Sequence, residues 1–327
     1  VPPTSQRLEW LDLFRGLAVL GMVWTHAANT FLTPELKASS WFEMLTSYHG
    51  LIAPAFFWIA GYARAHVTMG KTKPAWPVAK RLLLVWLIGY LMHVPWDHLF
   101  DAQAMRAVAT VDVLHCLAVS GLILLAVEKL GKGREAAALV LLLVFVSLEK
   151  SAREWQTGVL VLDQYFNRLH GSQFALFPWV GFGLAGFITR RAWDGRLNRS
   201  AAGVMLAGAL FAWGLSNTPW PGGPPAFFLE RLGWVMMAAV VVAVVAARVS
   251  PFTGWLRLAG RESLLLYVAH LMLIHSIPLP RQPLQHLIGP TQHVGGVLAI
   301  FSGLFAVSWL LGAWNERRKK AERRLAS

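Results

Sequence analysis

Apolar residues in this chain run in long blocks, at about 10–32, 49–67, 78–96, 107–127, 135–149, 174–190, 201–217, 227–248, 256–277 and 294–314. Most blocks approach or exceed the roughly 20 helical residues needed to cross a hydrocarbon core. Several end at a proline, such as Pro34, Pro74, Pro77, Pro95, Pro178, Pro221 and Pro251, which punctuates helices. The pattern predicts an all-α fold: a polytopic membrane helix bundle of about ten transmembrane helices. It reads as a single domain over 1–327, with a basic tail at 315–327. No internal repeat stands out, so there is no sign of the duplicated halves common among transporters.

The first block departs from a plain lipid-facing helix. Glu9 to Phe31 reads EWLDLFRGLAVLGMVWTHAANTF, with Asp12 and Arg15 near one end and His26 near the other. Ionisable groups inside a membrane segment are expensive and point to function. At 100° per residue, the step from Arg15 to His26 returns to within about 20° of one face. Val19, Met22 and Asn29 share that face. The two polar groups are then roughly 16 Å apart along the axis. A plainer reading stands beside this one, in which Arg15 snorkels at the boundary beside Asp12 and His26 sits in the headgroup layer.

Composition agrees with a membrane chain. Of 327 residues 56% are hydrophobic, the mean hydropathy is +0.49, and there are 16 Trp and 18 Phe. Such aromatic residues anchor interfaces and pack between helices. The first block is too long and too polar at its start for a cleaved signal peptide, so a retained signal anchor is expected. The single cysteine, Cys116, excludes an internal disulfide framework and a multi-cysteine metal site.

A net charge of +13 would suggest nucleic acid in a soluble protein. Here the positive-inside rule accounts for it and nucleic acid is set aside. With the N-terminus in the cytoplasm, inner segments hold 23 Lys and Arg, and outer segments hold 7: Lys37, Arg106, Lys150, Arg153, Arg168, Arg231 and Arg281. Both termini are therefore expected to be cytoplasmic, in a bacterial inner or plasma membrane. Histidines sort the other way: all but His66 of the 11 fall in the outer half or outer loops.

These residues resemble membrane-bound acyltransferases. The Arg15–His26 spacing inside LDLFRGLAVLGMVWTHA is similar to the first-helix motif of the acyltransferase-3 family. The blocks APAFFWIAGYA (53–63), VDVLHCLAVSGLILL (111–125), FALFPWVGFGLAGF (174–187) and GRESLLLYVAHLML (260–273) resemble, in order, the catalytic domain of heparan-alpha-glucosaminide N-acetyltransferases and their bacterial relatives. Two departures stand out. Lys80-Arg81 is followed by Leu-Leu-Leu where acyltransferase-3 proteins carry Arg-x-x-Arg. The heparan enzymes place their histidine in the loop before the second span, where this chain offers His49, with His26 on the first helix.

The resemblance implies transfer of an acetyl or other acyl group from cytosolic acetyl-CoA to an amine or hydroxyl of a sugar across the membrane. The expected partners are a CoA thioester, a glycan or amino-sugar acceptor and membrane lipids, with a homodimer open. Such chemistry needs a general base, for which a neutral imidazole suits, and a cation or dipole near the developing oxyanion. His26 is the preferred base, with Arg15 and Asp12 at the donor's passage. Arg81, then Lys80, Arg64 and Arg190, are expected to meet the CoA phosphates, although each is also ordinary inner-face charge. Asn29, His49, Asp97, His115 and His270 are the acceptor-side candidates, and Asp112, one turn before His115, could fix that ring's tautomer. No metal is expected, since no His-x-x-x-His pair stands beside a carboxylate; His270 and His275 come nearest. A proton-coupled carrier or flippase is the alternative from another class, because buried Asp, Arg and His also make proton relays.

Overall fold

The computed structural model describes residues 8–68, 74–95, 99–101, 106–193, 199–216, 226–275, 284, 289–291 and 293–325. The longer helices are α1 (Glu9–Phe31), α2 (Ser40–His49), α3 (Ile52–Thr68), α4 (Ala75–His93), α5 (Val113–Glu128), α6 (Arg134–Ser147) and α7 (Leu160–Phe166). They are followed by α8 (Leu176–Ala192), α9 (Arg199–Ser216), α10 (Ala226–Val249), α11 (Gly254–Arg261), α12 (Ser263–His275) and α13 (Val294–Leu325). Among the described residues, four stretches are long and apolar enough to cross a membrane: Ala75–His93, Arg106–Glu128, Ala226–Val249 and Val294–Glu322. The expected all-helical class is therefore what the described residues form.

The block expected at 256–277 is two helices instead of one. The chain leaves helical geometry at Glu262 (φ −101°, ψ 24°), between α11 and α12. A polar anchor accounts for the break. Glu262 is only 5% exposed, and its carboxylate accepts from Asn315 Nδ2 at 2.7 Å and pairs with Lys319 Nζ at 2.6 Å. A buried carboxylate must find such partners.

The chain divides into two compact units. One holds Ala53–Ala243; the other combines Leu8–Ile52 with Val244–Ser327.

In the first unit, α3 and α8 cross backbone to backbone. A Cβ on Gly61 would lie 1.8 Å from the Gly183 carbonyl oxygen, and one on Gly186 would lie 2.0 Å from that of Trp58. Glycine is required at both places, because no side chain fits. Phe57, Trp58, Tyr62, Phe182, Phe187 and Phe228 fill the core around this crossing. Between α6 and α8 the chain makes an ordered polar loop. There Asp163 accepts from the backbone N–H and the hydroxyl of Thr157, which hold its carboxyl below the usual range.

In the second unit, α1 packs along α11 and against α12 and α13. A Cβ on Gly16 would lie 2.0 Å from the Leu256 oxygen, and one on Gly260 would lie 2.0 Å from the Asp12 oxygen. At the same end Glu9 pairs with Arg257. Toward the other end of α1, Trp24 meets Phe301 edge-on at 5.6 Å, and the Thr291 N–H bonds the Phe31 carbonyl at 2.7 Å. Val19, Val23, Ala27 and Phe31 are wholly buried, which fixes the rotation of α1 and hence the side to which its polar residues point.

Candidate functional site

His26 lies in the last third of α1, and the fold sets it against a second imidazole. The rings of His26 and His270 are 5.1 Å apart between centroids, at 69°. His270 is wholly buried, and its Nδ1 stands 2.7 Å from the Leu266 carbonyl oxygen one turn back on α12. Tyr267 packs edge-on to it at 5.8 Å. His26 is partly exposed and makes no hydrogen bond among the described residues. Met22, one turn earlier on the same face, is buried. A reachable imidazole among apolar groups can accept a proton from a bound amine or hydroxyl.

The neighbours that sequence proximity offers to His26 make no hydrogen bond to it among the described residues. The Thr25 hydroxyl donates to the Gly21 carbonyl at 2.8 Å, an ordinary back-bond within the helix. Asn29 is exposed, and its carbonyl receives the Lys37 ammonium. Arg15 sits at the opposite end of α1. Its Nη1 is 3.5 Å from the Gly260 carbonyl oxygen and 3.8 Å from Asp12 Oδ1. The fold thus brings Asp12 and Arg15 together at the α1–α11 crossing, while the helix itself keeps Arg15 about 16 Å from His26. His49 closes α2 with both ring nitrogens buried and without hydrogen-bond partners, beside Phe42 at 6.0 Å.

The first unit carries the remaining candidates. Asp112 caps α5, accepting from the N–H groups of Leu114 and His115 at 2.9 and 3.3 Å. His115 Nδ1 is 2.8 Å from Asp112 Oδ1, so carboxylate and imidazole do meet as the spacing suggests. The His115 ring is wholly buried, lies flat against Gly89, and packs on Tyr90 at 4.0 Å. Beside it the Tyr90 and Tyr165 hydroxyls share a hydrogen bond of 2.9 Å, and Trp86 Nε1 donates to Tyr165 at 2.7 Å. This arrangement closes a helix N-terminus and fills a core.

The cations expected to meet the donor's phosphates divide into those with a partner and those with none among the described residues. Arg64 makes a two-pronged pair with Glu128, whose carboxylate also takes the Thr68 hydroxyl at 3.2 Å. Arg190 is 7% exposed; its Nε donates to His66 Nδ1 at 3.1 Å and its guanidinium lies over Tyr62. Lys80 and Arg81 are exposed near the start of α4, with no ion pair among the described residues. Asp97 lies outside the described residues. Among the described residues no group of three or more His, Cys, Asp and Glu side chains converges as a metal site would.

Two partners were not foreseen from sequence. Glu128 was visible as an acidic residue ending an apolar block, which needs a cation. His270 as the neighbour of His26 leaves no local signal, since the two are far apart in sequence.

The pair Arg64–Glu128 is largely buried at 14% and 10% side-chain exposure. Arg64→Ala would strand the Glu128 carboxylate, and a loss of about 2–4 kcal/mol is expected. Thermal unfolding in detergent should show it as a lowered midpoint, with Glu128→Gln lowering it less.

Long apolar helices joined by short polar segments define an integral membrane protein of the all-helical class. Residues 7–216 match the heparan-alpha-glucosaminide N-acetyltransferase catalytic family, and the chain belongs to it. Membership implies a transferase of the membrane acetyltransferase kind. The match ends with α9, so α10 to α13, including His270, lie beyond it. A search of curated proteins returns no match.

Proposed function

We propose that the protein moves an acetyl group from cytosolic acetyl-CoA to an amine or hydroxyl of a sugar on the outer side of the membrane, with His26 as general base. The observation that carries the assignment of the base is accessibility. His49 has both ring nitrogens buried, and His115 and His270 are wholly buried, whereas His26 is partly exposed and makes no hydrogen bond among the described residues. In the reaction the acceptor's lone pair attacks the thioester carbon and the new C–N or C–O bond forms. The C–S bond then breaks and CoA leaves as a thiolate. His26 takes the proton released by the acceptor and returns it to the leaving sulfur or to water.

Lys80 and Arg81 are the cations assigned to the donor's phosphates, because neither is committed to a carboxylate. Arg64 is held by Glu128, so its contribution is to fix α3 to α5. Arg190, whose Nε donates to the His66 ring and to no carboxylate among the described residues, is the reserve for the same anion. Arg15 and Asp12 set the crossing of α1 on α11 at the inner end of the helix. The direct test is acetyl transfer by the purified protein with labelled acetyl-CoA and a panel of amino sugars and neutral sugars. Label on a sugar is the expected result; hydrolysis or no turnover with the whole panel would overturn the reading.

The same proposal places about ten spans in the membrane and both termini in the cytoplasm. In its support, the charged ends expected inside lie together within each unit: Arg64 with Glu128 and Arg191 with Glu135 in the first, Glu262 with Lys319 in the second. Cys116 is wholly buried, so single cysteines introduced elsewhere can be read separately. On intact cells Glu154→Cys should react with a membrane-impermeant maleimide, and Lys132→Cys should react only after permeabilisation. The reverse pattern would invert the topology.

A further inference from the structure

His270 has one nitrogen in use and one in reserve. Its Nδ1 faces the Leu266 carbonyl oxygen at 2.7 Å, and a carbonyl can only accept. A neutral His270 therefore carries its hydrogen on Nδ1, and Nε2 is a bare lone pair. That Nε2 is buried and has no hydrogen-bond partner among the described residues. Leaving such an atom unpaired is costly, which directs attention to the donor it could serve. The nearby ring is His26, at 5.1 Å, and of the two residues His26 is the one not wholly buried.

We infer that His270 is the positioning residue for His26: its buried Nε2 accepts the His26 ring N–H, so that the other His26 nitrogen faces the substrate unprotonated. The inference rests on His26 being the base. Centroids this close leave the ring edges within hydrogen-bond reach once His26 rotates. With Nδ1 of His270 pinned by its own helix, only Nε2 can accept, and the tautomer of His26 follows from that. When His26 takes the acceptor's proton, the N–H toward His270 becomes charge-assisted and strengthens. No proton passes to His270. A neutral imidazole does here what a carboxylate does for many catalytic histidines, without placing a fixed negative charge within the helices.

The test compares three side chains at one position. His270→Leu fills the space and removes the acceptor; His270→Gln keeps a side-chain oxygen that can accept. Leu is expected to lower kcat at least tenfold while KM for acetyl-CoA stays within twofold, and Gln to recover most of kcat. Equal loss in both variants, or no loss in Leu, would overturn the proposal in favour of ring packing alone. A second readout needs no activity. With 15N-labelled histidine and His26→Ala to assign the signal, His26 should show one bare and one protonated nitrogen in the parent and in Gln, and an averaged pair in Leu. Averaging in the parent would also overturn it. A preparation that transfers no acetyl group but shows the fixed tautomer would count against the transferase reading and leave the positioning role standing.

Discussion

His26→Ala is expected to lower acetyl transfer by about 10² to 10⁴-fold while leaving the protein folded and able to bind CoA. A fall of that size corresponds to roughly 3–5 kcal/mol of barrier. The structural cost is expected to be small because His26 is partly exposed and makes no hydrogen bond among the described residues, so what is lost is its ring contact with His270. Substitutions of that kind usually change stability by less than about 0.5–1 kcal/mol. Turnover with labelled acetyl-CoA should be measured beside CoA binding and thermal unfolding on the same preparation. His26→Gln, close in size but unable to act as a base near pH 7, should be as inactive as alanine. Unchanged turnover in either variant would remove His26 from the chemistry.

The second large effect is on the fold. Gly260→Ala would put a Cβ 2.0 Å from the Asp12 carbonyl oxygen, and Gly16→Ala one at the same distance from that of Leu256. The obstacle in both cases is backbone, which cannot swing aside as a flexible side chain does. The two helices would have to part, weakening the Arg15 contact to the Gly260 carbonyl and the packing of Trp10, Leu13 and Phe14. Either variant should lose about 3 kcal/mol or more, at the upper end of overpacking costs. Gly254 on the same helix has nothing within 4 Å of a built Cβ, so Gly254→Ala is the control and should be neutral. Size-exclusion profiles in detergent and melting curves would decide. A Gly260→Ala protein that melts like the parent would show that this crossing is looser than its geometry implies.

How much of this was legible beforehand depended on the range of the signal. Helix positions were, because a block of apolar residues of membrane length permits little else once backbone groups must be satisfied internally. Helical periodicity sets Arg15 and His26 on one face; of the residues that share it, Val19 and Met22 are buried and Asn29 is exposed. The meeting of Asp112 with His115 was legible from a three-residue spacing, although its structural part is a cap on α5. What pairs with what across long separations was not. A helix that is apolar all round gives no sign of which side faces which neighbour. Hence the sequence carries no sign of the contact between His270 and His26, nor of the hold of Glu128 on Arg64. The break at Glu262 was hidden for a related reason, because the residues that anchor it, Asn315 and Lys319, come some fifty positions later.

That anchor gives the basic end of α13 a structural part. Lys319 lies in its basic stretch and serves as a bolt through the corner between α11 and α12, with α11 resting on the start of α1. Shortening the chain to Trp314, or crowding the stretch with a fused tag, would draw that bolt. The corner could then straighten, and the shift would reach His270 through α12 although nothing near the imidazoles had been altered.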